Sequence, residues 1–352
     1  MAQTIHVREG EEFDLAAVDR YLLVHVEGIP EGKLEVRQFP SGASNLTYLL
    51  KIGEWEGVLR RPPLGPVPPK AHDMGRESRI LEKLHEAYPL APRPYFFCED
   101  ESVIGVPFYV MERRKGVVVD DSFPDGVEPT LELCRGISRT VADTLAKLHA
   151  VNPDEAGLGD LGHPEDFLER QVRGWIGRYE KARTDEIEEV ASLTGWLAGD
   201  IPESPEPTII HNDYKLNNLV LNPDDLTEVR AVLDWEMATV GDPLFDLAVS
   251  LSYWSEPGDS RELKEVMPTV TSTPGFMTRE EFMDCYACSS GRDLSEMHWY
   301  MVFGYFKLAV ILQQIYSRWK RGQTGDPRFA DFNRRVRTLI LHAKDLAEKG
   351  EL

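Results

Sequence analysis

The first third of this 352-residue chain carries two hydrophobic periods. Asp14 followed by apolar residues at helical spacing predicts a capped helix reaching about residue 26. Stretches 34–39, 47–52 and 57–61 read as strands, the first two joined by Pro40-Ser-Gly-Ala-Ser-Asn45 and the last two by a short turn. Five prolines between 61 and 70 make that stretch an irregular connection. A helix over 72–88 and strands over 95–98 and 108–112 complete this part. The order strand, strand, strand, helix, strand, strand predicts an antiparallel sheet with one packed helix.

Beyond residue 130 the pattern turns helical, over 130–150, 164–179, 185–197, 242–253, 278–287, 294–319 and 327–349. The stretch 299–319 is apolar almost all round, which predicts the buried centre of a second domain. Its most apolar run, 303–315, is broken by Lys307 and Gln313-Gln314, so it does not read as a membrane span. One island, 208–236, is not helical and shows β-like runs at 208–210, 218–221 and 229–233. The expected organisation is α+β, with a domain at 1–112 and a helical one at 113–352.

Composition narrows the function classes. Sixty acidic against 39 basic residues leave a net charge of −21, which disfavours a nucleic-acid backbone or an anionic membrane as partner. A cationic small molecule would fit that charge, though the plainer reading is that the acidity serves solubility. The acidity is spread evenly, −6 over residues 1–112 (18 acids, 12 bases) and −15 over 113–352 (42 and 27), so no region is an acidic trap. The opening residues have neither a basic nor an apolar run of the kind that directs secretion, and a cytoplasmic location is expected. Four cysteines are too few for a disulfide scaffold. Cys285 and Cys288 form a CxxC, but Thr278 and Glu281 in front of it read as a capping box and Phe282 and Tyr286 as a helix face, so ordinary helix positions are expected. Gly157-Leu-Gly159-Asp-Leu-Gly162 matches GxGxxG, yet it follows a helix and carries an acid where a pyrophosphate would lie.

The chemistry concentrates in the island, TIIHNDYKLNNLVLNPDDLTEVRAVLDWE. Asp213 and Asn218 lie five apart on a loop flanked by apolar strands, and Asp234 follows the returning strand. Pairing of those strands as a hairpin would bring Asn218 and Asp234 to adjacent loop ends. An amide and a carboxylate are hard-oxygen ligands that suit Mg²⁺. Asp213 is then left to orient a hydroxyl and accept its proton, and Lys215 to reach a transferring phosphoryl group.

HNDYKLNN followed by LDW resembles the catalytic loop and metal motif of the protein-kinase-like fold. It is most similar to the aminoglycoside phosphotransferase and choline kinase branch, which DWEMATVGDPLFDLA also matches. The resemblance implies a two-lobed fold, with a small antiparallel-sheet N-lobe and a mostly helical C-lobe, and transfer of the ATP γ-phosphoryl group to a small-molecule hydroxyl. It implies Asp213 as base, Asn218 and Asp234 as Mg²⁺ ligands, and a phosphate-covering loop at Ser41, Gly42, Ser44 and Asn45. Arg60 takes the place of the strand lysine, with Glu77 as its helix partner, and backbone near Glu112 and Arg113 reads the adenine. Arg60 departs from the protein-kinase pattern, since a guanidinium fork is not interchangeable with an ammonium. Asp246 is expected to steady the loop, His211 to anchor it, and His149 to play no part. The alternative is a nucleotide-binding regulator without catalysis, a pseudokinase on the same fold.

Overall fold

The computed structural model describes residues 4–40, 45–64 and 72–350. In chain order the elements are α1 (Leu15–His25), β1 (Glu35–Gln38), β2 (Leu46–Ile52), β3 (Trp55–Arg61), α2 (Met74–Ala87), β4 (Pro94–Cys98), β5 (Phe108–Glu112), α3 (Leu131–His149), α4 (Phe167–Ala182), α5 (Glu189–Gly199), β6 (Thr208–Ile210), β7 (Leu219–Asn222), β8 (Asp225–Val232), β9 (Thr239–Gly241), α6 (Pro243–Ser252), α7 (Arg261–Val266), α8 (Arg279–Ser290), α9 (Met297–Lys320) and α10 (Phe332–Lys349). Among the described residues no helix is long and apolar enough to cross a membrane.

Contacts divide the chain into two units. The first comprises residues 1–118 with 156–158 and 218–238; the second holds 119–155, 159–217 and 239–352. The expectation was one boundary after residue 112; by contacts the first long segment ends at residue 118, and residues 218–238 group with the first unit.

In the first unit, β1-β2-β3-β5-β4 form an antiparallel sheet. Asp14 caps α1 as expected, its side chain accepting from the Ala17 N–H at 3.0 Å. Val18 and Leu22 of α1 bury against Tyr48, Leu50, Leu59 and Val110, so alternate residues of the strands face this helix. The opposite set, Arg60 included, faces the other way. Arg61 lies on the α1 side, where it donates to the Tyr48 hydroxyl and the Glu11 carbonyl.

In the second unit α9 is central, buried along most of its length as its all-round apolar pattern predicted. It packs on α10, α6 and α4. Thr278 and Glu281 form the expected capping box of α8, and the CxxC cysteines lie on that helix as free thiols. α7 and β9 were not expected from the pattern, being too short to show a period. The last predicted helix divides, because residues 327–331 form a separate helical turn ahead of α10.

Where α9 crosses α6 the backbones nearly touch: a Cβ on Gly304 would lie 2.8 Å from the Ala248 carbonyl oxygen. Gly304→Ala should therefore destabilise by about 1–3 kcal/mol, the usual scale of overpacking. A urea midpoint unchanged from the parent would refute the tight crossing.

Candidate active site

Two groups of residues carry chemistry, one in each unit. The first is built on a hairpin. β7 is buried throughout and pairs with β8, Leu219 opposite Val232. The Leu233 N–H donates to the Asn218 carbonyl at 2.8 Å, so Asn218 and the residue before Asp234 meet at one hairpin end. The Val232 N–H to Leu90 carbonyl bond (2.9 Å) moors the hairpin, as does the two-way pairing of Val117 with Leu221. Gly116 permits that pairing, because a Cβ there would sit 2.3 Å from the Leu221 carbonyl oxygen. Asp234 adopts φ 70° and ψ 61°, left-handed backbone that aspartate tolerates better than most residues. The turn sends Trp235 into the core, where its indole donates to the Val232 carbonyl at 2.8 Å.

Sheet alternation delivers Arg60 to the face covered by α2, and α2 supplies Glu77. Arg60 Nη1 donates to Glu77 Oε1 at 2.6 Å and Nη2 to Asp234 Oδ1 at 3.1 Å. The pair is secluded, Arg60 being 8% and Glu77 1% exposed. Burial pushes the Glu77 carboxyl up to about 7, against the pull of Arg60. Burial also works against the Arg60 charge, but Glu77, Tyr109 and Asp234 outweigh it and hold the guanidinium protonated. Beside them Asn45 donates to Glu236 Oε2 at 2.7 Å, and Arg76 to the Glu236 and Ala238 carbonyls at 2.8 and 2.6 Å.

The second group lies on the loop after β6. β6 pairs with β9, and α6 begins directly after β9 with Asp242 as N-cap and Pro243 in its first turn. One turn later α6 presents Asp246 to the loop. Its Oδ2 accepts from the His211 N–H and its Oδ1 from the Asn212 N–H, both at 2.7 Å. His149 Nε2 lies 3.1 Å from Oδ2, and His149 Nδ1 lies 2.7 Å from the Tyr286 hydroxyl. Burial lowers the His149 pKa, so the ring is neutral, donating to Asp246 and accepting from Tyr286. Burial works to raise the Asp246 pKa, but its bonds to His149 and to the loop hold it below the usual carboxylate range.

Asp213 follows this clamp. Its N–H donates to His211 Nδ1 at 3.3 Å, and Lys215 Nζ lies 2.9 Å from its Oδ2. The same ammonium stands 4.9 Å from the centre of the Tyr253 ring. The Tyr253 hydroxyl is held protonated by burial and by the neighbouring Asp213 charge. Lys215, Tyr253, Trp254, Thr269 and Asp120 line a small pocket in this unit. Asn217 donates to Asp120 there at 3.1 Å, and burial pushes the Asp120 carboxyl up.

The structure therefore brings Arg60, Glu77, Asp234 and Asn45 together in one unit and Asp213 with Lys215 in the other. The chain passes from one unit to the other between Asn217 and Asn218. Ser41, Gly42 and Ser44 lie outside the described residues. Glu112 and Arg113 close β5 with their side chains engaged, Glu112 by Arg114 and by the Arg93 N–H, Arg113 by Glu56. The Glu112 N–H donates to the Arg93 carbonyl at 2.9 Å. His149, given no role from sequence, belongs to the Asp246 cluster. Asp120, Tyr253 and Glu236 were also passed over; only Glu236, two residues beyond Asp234, lay within a readable motif.

Residues 35–267 match the model of the phosphotransferase enzyme family (APH), and the chain belongs to that family. Over 357 residues it is 33% identical to chicken acyl-CoA dehydrogenase family member 11, covering 99% of this chain and 44% of that protein. The chain spans less than half the length of the curated relatives it matches. A Ralstonia eutropha protein provisionally named an aminoglycoside phosphotransferase superposes with a TM-score of 0.82 at 31% identity, over 96% of this chain and 99% of that one. Choline kinase from Cryptosporidium parvum superposes with a TM-score of 0.65 at 14% identity, over 96% of each chain. The fold is the α+β, two-lobed, protein-kinase-like one, as the loop motif implied.

Asp246→Ala would strand two loop N–H groups and His149 in the core. A loss of about 3–5 kcal/mol is expected, since each buried donor left without its acceptor costs about 1–3 kcal/mol. Urea denaturation of parent and variant measures it, and a loss below about 1 kcal/mol would mean that the clamp contributes little.

Proposed function

We propose that the chain is an ATP-dependent kinase of a small-molecule hydroxyl, with Asp213 as its base. The observation that carries this reading is the clamp on the catalytic loop. Two charge-assisted bonds from Asp246 fix the peptides immediately before Asp213, and Lys215 meets its carboxylate. A carboxylate held in that way can align an acceptor hydroxyl and take its proton as the new O–P bond forms and the bond to the leaving ADP oxygen breaks. Lys215 neutralises charge on the transferring group. The pocket beside Lys215 receives the acceptor in this reading, and its half-buried Asp120 suits a cationic one.

Asn218 and Asp234 fit Mg²⁺, which takes oxygen ligands, keeps several waters and needs only one or two protein groups. Bound there it would neutralise the β- and γ-phosphates. Arg60, held by Glu77, takes the phosphate-facing role of the strand lysine, and Ser41, Gly42, Ser44 and Asn45 cover the phosphates.

The regulator reading has one observation in its favour. Arg60 already engages Asp234 Oδ1, so a metal must share that carboxylate with a guanidinium. Calorimetry of ATP with and without Mg²⁺ comes first, and binding that ignores Mg²⁺ would favour the regulator.

Two substitutions then test the chemistry. Asp213→Asn should lower kcat by about 10²–10⁴-fold with little change in Tm or nucleotide affinity. Near-normal turnover on an acceptor found by screening hydroxyl compounds for ATP consumption would remove the loop from catalysis. Arg60→Met should cost roughly 3–4 kcal/mol of transition-state stabilisation, read as kcat/KM; an unchanged value would leave Arg60 a purely structural partner of Glu77.

A further inference from the structure

A lysine side chain lies buried on the central helix of the second unit. Lys307 lies midway along α9, is 3% exposed, and has its ammonium 5.0 Å from the Phe245 ring centre and 5.5 Å from that of Trp175. Methionine would fill this volume without the desolvation penalty of a buried cation. What the ammonium adds is a donor: Nζ bonds the Asn212 carbonyl oxygen at 3.1 Å. Asn212 has φ 66°, in the left-handed region, and its own N–H is taken by Asp246. The residue before Asp213 is thus held at both ends, at the N–H by an anion on α6 and at the C=O by a cation on α9.

We infer that Lys307 is a positioning residue for phosphoryl transfer, its ammonium clamping the peptide that joins Asn212 to Asp213 and so fixing the direction of the Asp213 carboxylate. This rests on the kinase reading for its effect on turnover, though not for the clamp itself. The charged groups facing Lys307 are Asp246 on α6, Asp213 and Lys215 on the loop, and Arg178 on α4, with His149 and His211 reached through Asp246. Burial lowers the ammonium pKa to about 8, the two carboxylates opposing the shift and the two cations adding to it.

The sign of the pH effect separates positioning from mere stability. Unfolded lysine keeps its proton up to 10.5, whereas the folded site releases it near 8. Between those values the unfolded chain binds more protons, so the contribution of this site to stability rises with pH, is complete above 10.5, and is lost as pH falls through 8. Turnover that depends on the ammonium must move the opposite way and fall above about 8.

The test uses the full chain as parent, Lys307→Met and Lys307→Arg. Parent kcat should show an alkaline limb near pH 8. Lys307→Arg should move that limb upward, and Lys307→Met should abolish it while lowering kcat by about 10- to 100-fold at unchanged ATP affinity. Over the same pH range the difference in unfolding free energy between parent and Lys307→Met should rise. A Lys307→Met enzyme with parental kcat and the parental limb would overturn the assignment. Should Lys307→Met not fold, Lys307→Arg carries the comparison. If the parent neither binds nor consumes ATP, the kinase reading fails, and the clamp is judged from the Asp213 amide resonance in selectively ¹⁵N-labelled protein. That resonance should titrate with Lys307 in the parent and not in the variants; a resonance indifferent to both pH and substitution overturns the clamp as well.

Discussion

The buried carboxylate of Asp246 is the anchor on which the candidate chemistry depends. An ionised carboxylate in the core is unfavourable unless its oxygens are satisfied, and here three donors do so: the His211 and Asn212 N–H groups and the neutral His149 ring. The same bonds force the loop to turn at Asn212, whose left-handed backbone would otherwise be disfavoured for a residue other than glycine. Stability of the core and the setting of Asp213 are therefore one property. Lys307 completes the arrangement from the opposite side, so that opposite charges from two helices grip the same short length of backbone.

A second buried ion pair does comparable work in the first unit. Arg60 and Glu77 are almost wholly removed from water, and neither would be tolerated there alone. Burial raises the Glu77 pKa to about 7, and the guanidinium fork opposes that rise while also reaching Asp234. A lysine ammonium, as a point charge, could not span a carboxylate on α2 and another on the hairpin turn in the same planar manner. The departure from the protein-kinase pattern thus has a geometric use: it ties the strand to the hairpin end.

The sequence by itself determined the longer elements, because period-two and period-3.6 patterns and their caps are local properties, whereas α7 and β9 are too short to carry a period. Asp14 and Thr278 cap helices where their positions said they would. The motif HNDYKLNN with LDW was enough to establish the family. In the structure the adjacent arginines part, Arg60 toward α2 and Arg61 toward α1, since neighbouring residues of a strand must face opposite sides. Only the tertiary structure decided which distant residues support the loop. His149 and Lys307 come from helices far along the chain, and a histidine at a helix end or a lysine in an apolar run has no local pattern that announces a partner. The grouping of 218–238 with the first unit was equally illegible, because it rests on backbone bonds to Leu90 and Val117 and on the room that Gly116 leaves beside Leu221, none of which has a period in the sequence. Local periodicity is written residue by residue, whereas a buried charge acquires its meaning from whatever folding brings within three ångströms of it.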